Sequence, residues 1–149
     1  MIARKAFSYR SDPAVPDFDD THPLFVFDGV CVLCSGGVSR LMRWDAKRRI
    51  AFTSAQGELG QALYRHYRLD MDDTYLFIAD GRAYTRSAGY LALARRLGGL
   101  WRISEILRIV PSGLRDRLYD LVARNRYRWF GKAEASCRLL TAEQRERLL

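Results

Sequence analysis

Two cysteines three positions apart, Cys31 and Cys34, are the clearest candidates in this chain for residues that carry out chemistry. They stand directly behind an apolar run, Leu24 to Phe27, within the stretch LFVFDGVCVLCSGG. A CxxC pair can be a redox couple, half of a metal site, or two small residues that fill space in a core. Most of what the protein does depends on which of these the pair is.

The redox interpretation rests on the electrostatics of a helix N-terminus. A thiol placed there meets unpaired backbone N–H groups and the positive end of the helix dipole. Both lower the pKa of the first cysteine of a CxxC pair toward neutrality. The second cysteine lies one turn further in, where it is more buried, stays protonated and can close a disulfide. We therefore assign Cys31 as the nucleophile and Cys34 as the resolving thiol.

Asp28 is a third candidate catalytic residue, three positions before Cys31. One interpretation makes its carboxylate the acceptor or relay for the proton of Cys34. The other makes it a turn residue that caps backbone N–H groups, since Asp-Gly is common in such turns. A carboxylate near Cys31 would raise the pKa of that thiol, against the effect of the helix. The sequence leaves both roles open.

The elements that must position these residues follow from the hydrophobic pattern. The continuous apolar run at 24–27 predicts a strand buried on both faces. Apolar residues at helical spacing behind the motif predict a helix that runs to about Lys47. A second strand is expected at residues 50–53, and a second amphipathic helix covers 59–67.

A hairpin is the sharpest local signal. Asp80-Gly81 separates two strand-like runs, 74–79 and 82–85, and suits a type I′ turn, in which both central residues need positive φ. A helix follows, and Gly98-Gly99 is expected to close it with a left-handed cap.

The predicted order is therefore β-α-β-α-β-β-α, an α/β mixed sheet with helices on both faces and the CxxC in the first strand-to-helix turn. This is the element order of the thioredoxin-like fold. Apolar stripes at 103–110 and 114–122 predict a helical extension from about residue 100, with Ser112 as a candidate N-cap. We expect an extended N-terminal arm at 1–23 and one domain at 24–149.

Two motifs resemble those of a known family. F-D-G-V-C-V-L-C, with Asp28, Cys31 and Cys34, resembles the Asp-x-x-Cys-x-x-Cys motif of the DCC family of predicted thiol–disulfide oxidoreductases. A-R-N-R-Y-R-W-F-G at 123–131, followed by Cys137, is similar to the C-terminal signature of that family. The resemblance implies a thioredoxin-like fold, dithiol redox chemistry and the three motif positions as site residues. It also makes Cys137 a candidate third thiol, the alternative being a small buried hydrophobe.

The resemblance to thioredoxins and glutaredoxins has one gap. Those proteins place a cis-proline just before the third strand, where it faces the CxxC and shapes the substrate groove. This chain has M-D-D-T-Y in that region, so that Asp73 or Thr74 occupies the place. The sequence therefore does not predict substrate binding through that backbone.

The composition and the hydropathy of the chain indicate its structural class and its cellular compartment. A chain of 149 residues with 48% hydrophobic residues is expected to form one globular domain. No apolar run approaches the roughly 18 residues that span a bilayer, and the first twenty residues lack the apolar core of a signal peptide. We expect a cytoplasmic protein, and in a reducing compartment a CxxC is more typical of catalysis or metal binding than of a structural disulfide.

Two other site chemistries compete with the redox interpretation. A structural zinc site usually needs four Cys or His ligands, whereas this chain offers Cys31, Cys34, a solitary Cys137 and two scattered histidines. We expect His66 to be a core residue whose ring nitrogens have hydrogen-bond partners. No metal or cofactor is expected, although a transient iron–sulfur or copper role stays open. A haloacid-dehalogenase site would need a second Asp where Val30 stands.

The net charge of +8 raises the question of a basic binding module. Residues 101–149 hold 11 Lys and Arg against 6 Asp and Glu, and residues 124–132 interleave cations with aromatics, as some nucleic-acid surfaces do. No RNA- or DNA-binding fingerprint accompanies them. We interpret residues 101–149 as a solvated helical cap in which Tyr127, Trp129 and Phe130 pack onto the sheet. The expected partners are protein or low-molecular-weight thiols and disulfides.

Overall fold

The computed structural model describes residues 5–28, 32–70, 74–130 and 148, with the backbone alone for residues 32–35, 104 and 130. The elements run in the order 3₁₀ helix Ser8–Ser11, β1 Leu24–Phe27, α1 Val32–Trp44, β2 Ala51–Ser54, α2 Glu58–Tyr67, β3 Leu76–Ala79, β4 Arg82–Tyr84, α3 Arg86–Leu97, a long 3₁₀ helix Gly99–Ile109, and α4 Ser112–Phe130.

The four strands form one mixed sheet in the order β2-β1-β3-β4. Strands β1 and β2 are parallel, while β3 is antiparallel to both of its neighbours, β1 and β4. Phe25 of β1 stands opposite Phe52 on one side and Phe77 on the other. The hairpin and the first strand therefore share a sheet, as the sequence predicts, and the topology is consistent with the thioredoxin-like fold.

Helices cover both faces of the sheet. Along β1, Leu24 and Val26 point into a core built with α2, whereas Phe25 and Phe27 point into a second core built with α1 and α3. This alternation follows from the two-residue period of a strand. A strand with a core on each face has to be apolar throughout, which explains the uninterrupted run before the cysteine motif.

The turn after α1 explains why that helix ends at Trp44 rather than near Lys47. The carboxylate of Asp45 accepts hydrogen bonds from the backbone N–H groups of Arg49 and Ile50, both at 3.0 Å. Arg48 lies between Asp45 and these two residues in the chain, and its φ of 51° is in the left-handed region. This closed turn starts β2 at Ala51, one residue later than predicted.

The predicted hairpin is confirmed. Asp80 and Gly81 have φ values of 52° and 74°, both positive as a type I′ turn requires. The backbone N–H of Phe7 donates to the carbonyl of Gly81 across 2.8 Å, and the Phe7 ring lies against that glycine.

Residues 5–23 pack on the domain. Tyr9 and Val15 are buried in the core on the α2 face of the sheet. The ring of His66 bonds Ser8 at 2.8 Å and the carboxylate of Asp12 at 2.7 Å. The ring of His66 thus has hydrogen-bond partners, as the sequence predicts. The division into an arm and one domain stays a prediction, but the described part of the arm contributes to the core rather than extending away from it.

The helical extension is present with two corrections. Both glycines of the predicted cap have positive φ, 68° at Gly98 and 57° at Gly99. The ψ of −165° at Gly98 lies outside the left-handed helical region, so the predicted cap conformation is not present at that residue. Ser112 is the first residue of α4 rather than its N-cap, because the carbonyl of Pro111 already accepts the N–H of Arg115.

The apolar stripes of the extension are largely exposed. Ile103, Ile106, Leu114, Leu118 and Leu121 each expose half or more of their surface. No helix in the described ranges is long and apolar enough to cross a membrane.

Candidate active site

The cysteine motif begins in the segment between β1 and α1 and continues into α1. Strand β1 ends at Phe27, buried Asp28 follows, and α1 begins at Val32, directly after position 31. Position 34 lies in the first turn of α1. Cys31 itself and the side chain of Cys34 lie outside the described part of the chain, so their predicted roles stay predictions.

Asp28 is the one candidate residue whose side chain is described, and it lies in a closed polar cluster. The residue is only 2% exposed. Its Oδ1 accepts a hydrogen bond from the side-chain amide of Gln56 at 2.7 Å. Its Oδ2 accepts from the guanidinium of Arg126 at 3.0 Å and from the phenol of Tyr127. The carboxylate is therefore held from two directions, by the loop after β2 and by α4.

The Arg126–Asp28 contact is a buried ion pair. The two side chains are 5% and 2% exposed. Arg126 also donates to the hydroxyl of Tyr127 at 3.1 Å, and its guanidinium carbon lies 4.7 Å from the centre of the Tyr127 ring. Charges removed from water are stable only when paired and hydrogen-bonded in this way. The cluster consequently fixes the end of α4 to the turn that carries the cysteine motif.

Gln56 is oriented by its own loop. Its Oε1 accepts a hydrogen bond from the hydroxyl of Ser54 at 2.8 Å, which leaves the amide N–H₂ directed at Asp28. Ser54 is the last residue of β2, the strand parallel to β1. Two parallel strands end at the same edge of a sheet, so the loop after β2 reaches the turn after β1.

Thr74 is one of the two residues predicted to occupy the position that thioredoxins give to a cis-proline, and which of the two does so stays a prediction. Thr74 is buried. Its hydroxyl donates a hydrogen bond to the carbonyl of Tyr75 at 2.9 Å and accepts one from the backbone N–H of Arg86 at 3.1 Å. Its carbonyl accepts the phenol of Tyr64 at 2.7 Å. Asp73, the other predicted occupant, lies outside the described ranges, and no peptide bond within those ranges is cis.

The remaining candidate residues are not brought to this cluster by the described structure. Cys137 lies outside the residues that it covers. Within them, no group of three or more Cys, His, Asp or Glu is arranged to hold a metal ion. His66 lies in α2 and is engaged by Ser8 and Asp12.

Sequence reasoning missed three members of the cluster: Gln56, Arg126 and Tyr127. The sequence places Arg126 among the cations of a solvated face and predicts that Tyr127 packs on the sheet. Arg126 is in fact buried, whereas Trp129, which was also expected to pack, is 54% exposed. The signal that could have found them is the signature A-R-N-R-Y-R-W-F-G, whose central Arg-Tyr pair binds the aspartate of the first motif.

Comparison with known proteins gives matches in sequence. A family model described as DCC1-like thiol-disulfide oxidoreductase matches residues 25–132. The chain is 40% identical to the uncharacterized protein YuxK of Bacillus subtilis (strain 168) over 128 residues, 85% of this chain and 93% of that protein. It is 34% identical to the chloroplastic DCC family protein At1g52590 of Arabidopsis thaliana over 124 residues, 81% of this chain and 72% of that protein. No solved structure matches significantly.

Proposed function

Since the chain belongs to the DCC1-like thiol-disulfide oxidoreductase family, we propose that it exchanges thiols and disulfides through Cys31 and Cys34. The observation that carries the proposal is the place of the motif in the chain. Strand β1 ends at Phe27 and the 13-residue helix α1 begins at Val32, so the pair falls at a helix N-terminus. Unpaired N–H groups and the helix dipole stabilise a thiolate at such a position.

The reaction needs only the two sulfurs and a disulfide substrate. The Cys31 thiolate attacks one sulfur of the substrate, a new S–S bond forms, and the other substrate sulfur leaves as a thiolate. Cys34 then loses its proton and attacks the sulfur of Cys31. This closes the Cys31–Cys34 disulfide and releases the second substrate thiolate. The substrate gains two electrons and the dithiol loses two, and an external thiol returns the enzyme to its reduced form.

We assign Asp28 a positioning role in this reaction. Its carboxylate is engaged by three side-chain donors, from Gln56, Arg126 and Tyr127, and an ionised carboxylate offers only about four acceptor sites. This favours positioning of the turn over the alternative, in which Asp28 accepts the proton of Cys34. The contact with α4 would then hold the motif turn and the start of α1 in place for the attack.

The substrates of this proposal are protein or low-molecular-weight disulfides and thiols. A cytoplasmic location stays a prediction, since the name of the plant relative gives that protein as chloroplastic.

Trapping distinguishes the two cysteines. In a Cys137→Ser background, Cys34→Ser should leave Cys31 able to attack but unable to be released, so that mixed disulfides with glutathione or protein accumulate. Cys31→Ser, the matched control, should trap nothing and abolish exchange. Intact-mass spectrometry of protein incubated with oxidised glutathione measures both outcomes.

The rate of alkylation of Cys31 as a function of pH provides the second measurement. A midpoint well below about 8.5, the ordinary pKa of a cysteine, supports the nucleophile assignment. A midpoint near about 8.5 together with no trapped partner in Cys34→Ser would overturn the redox proposal. Stoichiometric zinc in protein purified without added metal would also overturn it, in favour of metal binding.

A further inference from the structure

The long 3₁₀ helix Gly99–Ile109 presents a row of apolar side chains to solvent. In a 3₁₀ helix, side chains three positions apart lie above one another, and each residue adds about 2 Å of length. Four apolar residues at this spacing therefore form a single row about 18 Å long. Its members are between 63% and 84% exposed: Leu100, Ile103, Ile106 and Ile109.

The other two rows of this helix face the domain or carry charge. Trp101 and Leu107 line an apolar cavity of about 510 Å³ that α1, α3 and α4 also border. The remaining row contains Glu105 and the exposed residues Arg102 and Arg108. Because the helix has only three rows, the exposed apolar row lies directly beside these arginines.

Helix α4 repeats this pattern with the spacing of an α-helix. Leu114, Leu118 and Leu121 are separated by four and three positions, which places them on one face, and each exposes half or more of its surface. A second exposed row lies next to that face, since successive residues turn by about 100° around the helix axis. It consists of Arg117, Arg124 and Arg128.

These rows belong to one continuous surface. Leu107 of the 3₁₀ helix and Leu118 of α4 border the same cavity, and so does Trp44 of α1, which packs on Trp101 with ring centroids 4.6 Å apart. The exposed large apolar side chains of the described residues are all found at Trp44, at Tyr90 and between positions 100 and 129. Contiguous apolar surface of this extent is uncommon on soluble monomers and marks a site of interaction.

The acidic residues of this region are held against α3. Glu105 and Asp120 pair with arginines of that helix at 3.0 and 3.4 Å. Asp116 accepts a hydrogen bond from the hydroxyl of Ser87, the second residue of α3, at 2.5 Å. The exposed charges among the described residues of 99–129 are consequently all positive: Arg102, Arg108, Arg117, Arg124 and Arg128. We call the two apolar rows and these five arginines the basic apolar face.

We propose that the basic apolar face binds the surface of a lipid bilayer that contains anionic phospholipids. The apolar rows enter the boundary between headgroups and acyl chains, and the arginines lie against the lipid phosphates. Binding of this kind becomes stronger with the apolar area that is buried and with the attraction to anionic lipids. The proposal goes beyond thiol–disulfide exchange, because no cysteine belongs to the basic apolar face.

The charge of this face favours a bilayer over a second copy of the chain. A two-fold interface brings the same patch of both copies together, so that the two sets of arginines would meet. Like charges brought together across an interface oppose association. A nucleic acid would contact the arginines and leave the apolar rows in water.

Co-sedimentation of the full-length protein with vesicles tests the proposal at about 150 mM salt, where exposed charges alone are strongly screened. One set of vesicles contains phosphatidylcholine, and the other contains phosphatidylcholine and phosphatidylglycerol at about 3:1. At about fivefold for each cation close to an anionic surface, we expect the mixed vesicles to bind at least about 100-fold more tightly. Emission of the exposed residues Trp44 and Trp129 should shift to shorter wavelength on binding, because indole rings settle at the headgroup level.

Two variants separate the apolar and the basic contributions. Ile103→Ser/Ile106→Ser removes half of the apolar row and should weaken binding to the mixed vesicles at least about tenfold. Arg117→Gln/Arg128→Gln should weaken it about 25-fold and leave binding to phosphatidylcholine alone unchanged.

Arg65→Gln/Arg68→Gln is the matched control. It removes the same charge from exposed positions in α2 and at the end of that helix, on the other face of the sheet. It should bind both kinds of vesicle as the unchanged protein does.

Three results would overturn the proposal. One is equal binding to the two kinds of vesicle, or binding to neither. The second is equal weakening by Arg117→Gln/Arg128→Gln and by the control, which would show a response to net charge rather than to this face. The third is a dimer of the free protein that Ile103→Ser/Ile106→Ser converts to a monomer, which would assign the face to a second copy. None of them bears on the trapping experiment with Cys34→Ser, so this proposal and the redox proposal fail separately.

Discussion

The guanidinium of Arg126 donates to the carboxylate of Asp28 across 3.0 Å, although the two residues stand 98 positions apart in the chain. Each belongs to one of the two motifs that carry the family resemblance. The buried pair therefore joins the motif turn to the end of α4, and α4 also packs against α1 and α3. The C-terminal signature thus contacts Asp28, three positions before Cys31.

Breaking this pair from one side is expected to destabilise the fold strongly. Arg126→Gln leaves the Asp28 carboxylate buried without its counter-charge, and Asp28→Asn does the same to the guanidinium. Each should lower the free energy of unfolding by about 3–5 kcal/mol, the usual cost of removing one partner of a buried pair. Urea titration measures the loss, and the double variant should lose less than the sum of the two single variants.

Arg128→Gln is the control for that cycle, because Arg128 is exposed two residues further along the same helix. Its effect should stay within about 0.5 kcal/mol. Equal losses for Arg126→Gln and Arg128→Gln, or additive losses in the double variant, would contradict the ion pair.

Tyr127→Phe separates positioning from proton transfer. The change removes one donor to Asp28 and leaves the ring that packs on Arg126. It should cost about 1.5–3 kcal/mol of stability, as expected for a hydrogen bond to a charged group. If Asp28 positions the turn, both the attack by Cys31 and the resolution by Cys34 should slow. Slowing of the resolution step alone, seen as mixed disulfide accumulating while Cys34 is intact, would assign Asp28 to proton transfer instead.

The sequence could predict the fold where a local rule decides the structure. A strand with a core on each face must be apolar, and Asp80-Gly81 accepts the positive φ values of a type I′ turn, so β1 and the hairpin were predictable. The end of α1 depends on the side chain of Asp45 turning back onto two later backbone N–H groups. The hydrophobic pattern of the sequence does not predict such a contact.

The site was predictable only in part, for a related reason. The types and spacing of Asp28 and the two cysteines carry a chemical meaning by themselves. Arg126 is one of 11 Lys and Arg after residue 100, and composition does not distinguish a buried ion pair from a solvated face. Only the position of α4 beside the motif turn makes that distinction.

The exposed cations of α4 are not expected to form a nucleic-acid site. With Arg126 committed to Asp28, the exposed members of the R-N-R-Y-R cluster are Arg124 and Arg128. We expect no retention on DNA or heparin at about 150 mM salt, where exposed charges are strongly screened. Binding that persists at this salt concentration and is lost in Arg124→Gln/Arg128→Gln would show the opposite.

Gly81→Ala should destabilise the hairpin. Position 81 has a φ of 74°, and a Cβ there would lie 2.5 Å from the Phe7 ring. The backbone conformation alone costs about 1–2 kcal/mol for a residue with a Cβ, and the clash adds to it. Gly113→Ala is the control, since that glycine lies in α4 with nothing within 4 Å of a new Cβ. It should raise the free energy of unfolding by up to about 1 kcal/mol. Thermal unfolding of both variants measures the contrast, and equal shifts would contradict it.

Acid should weaken the packing of residues 5–23 through Asp20. The hydrogen bond from Arg10 lowers the pKa of the Asp20 carboxyl, against the opposing effect of burial, and the phenol of Tyr9 donates to the same carboxylate at 2.9 Å. A carboxyl with a lowered pKa in the folded state stabilises that state above its ordinary pKa of 3.8, and the stability is lost as the pH falls through the lower folded value. Asp20→Asn should therefore be less stable than the unchanged protein at pH 7, with the difference shrinking below pH 3.8. Urea titrations of both proteins over a series of pH values measure this difference. A difference for Asp20→Asn that is constant with pH would exclude the carboxylate as its cause.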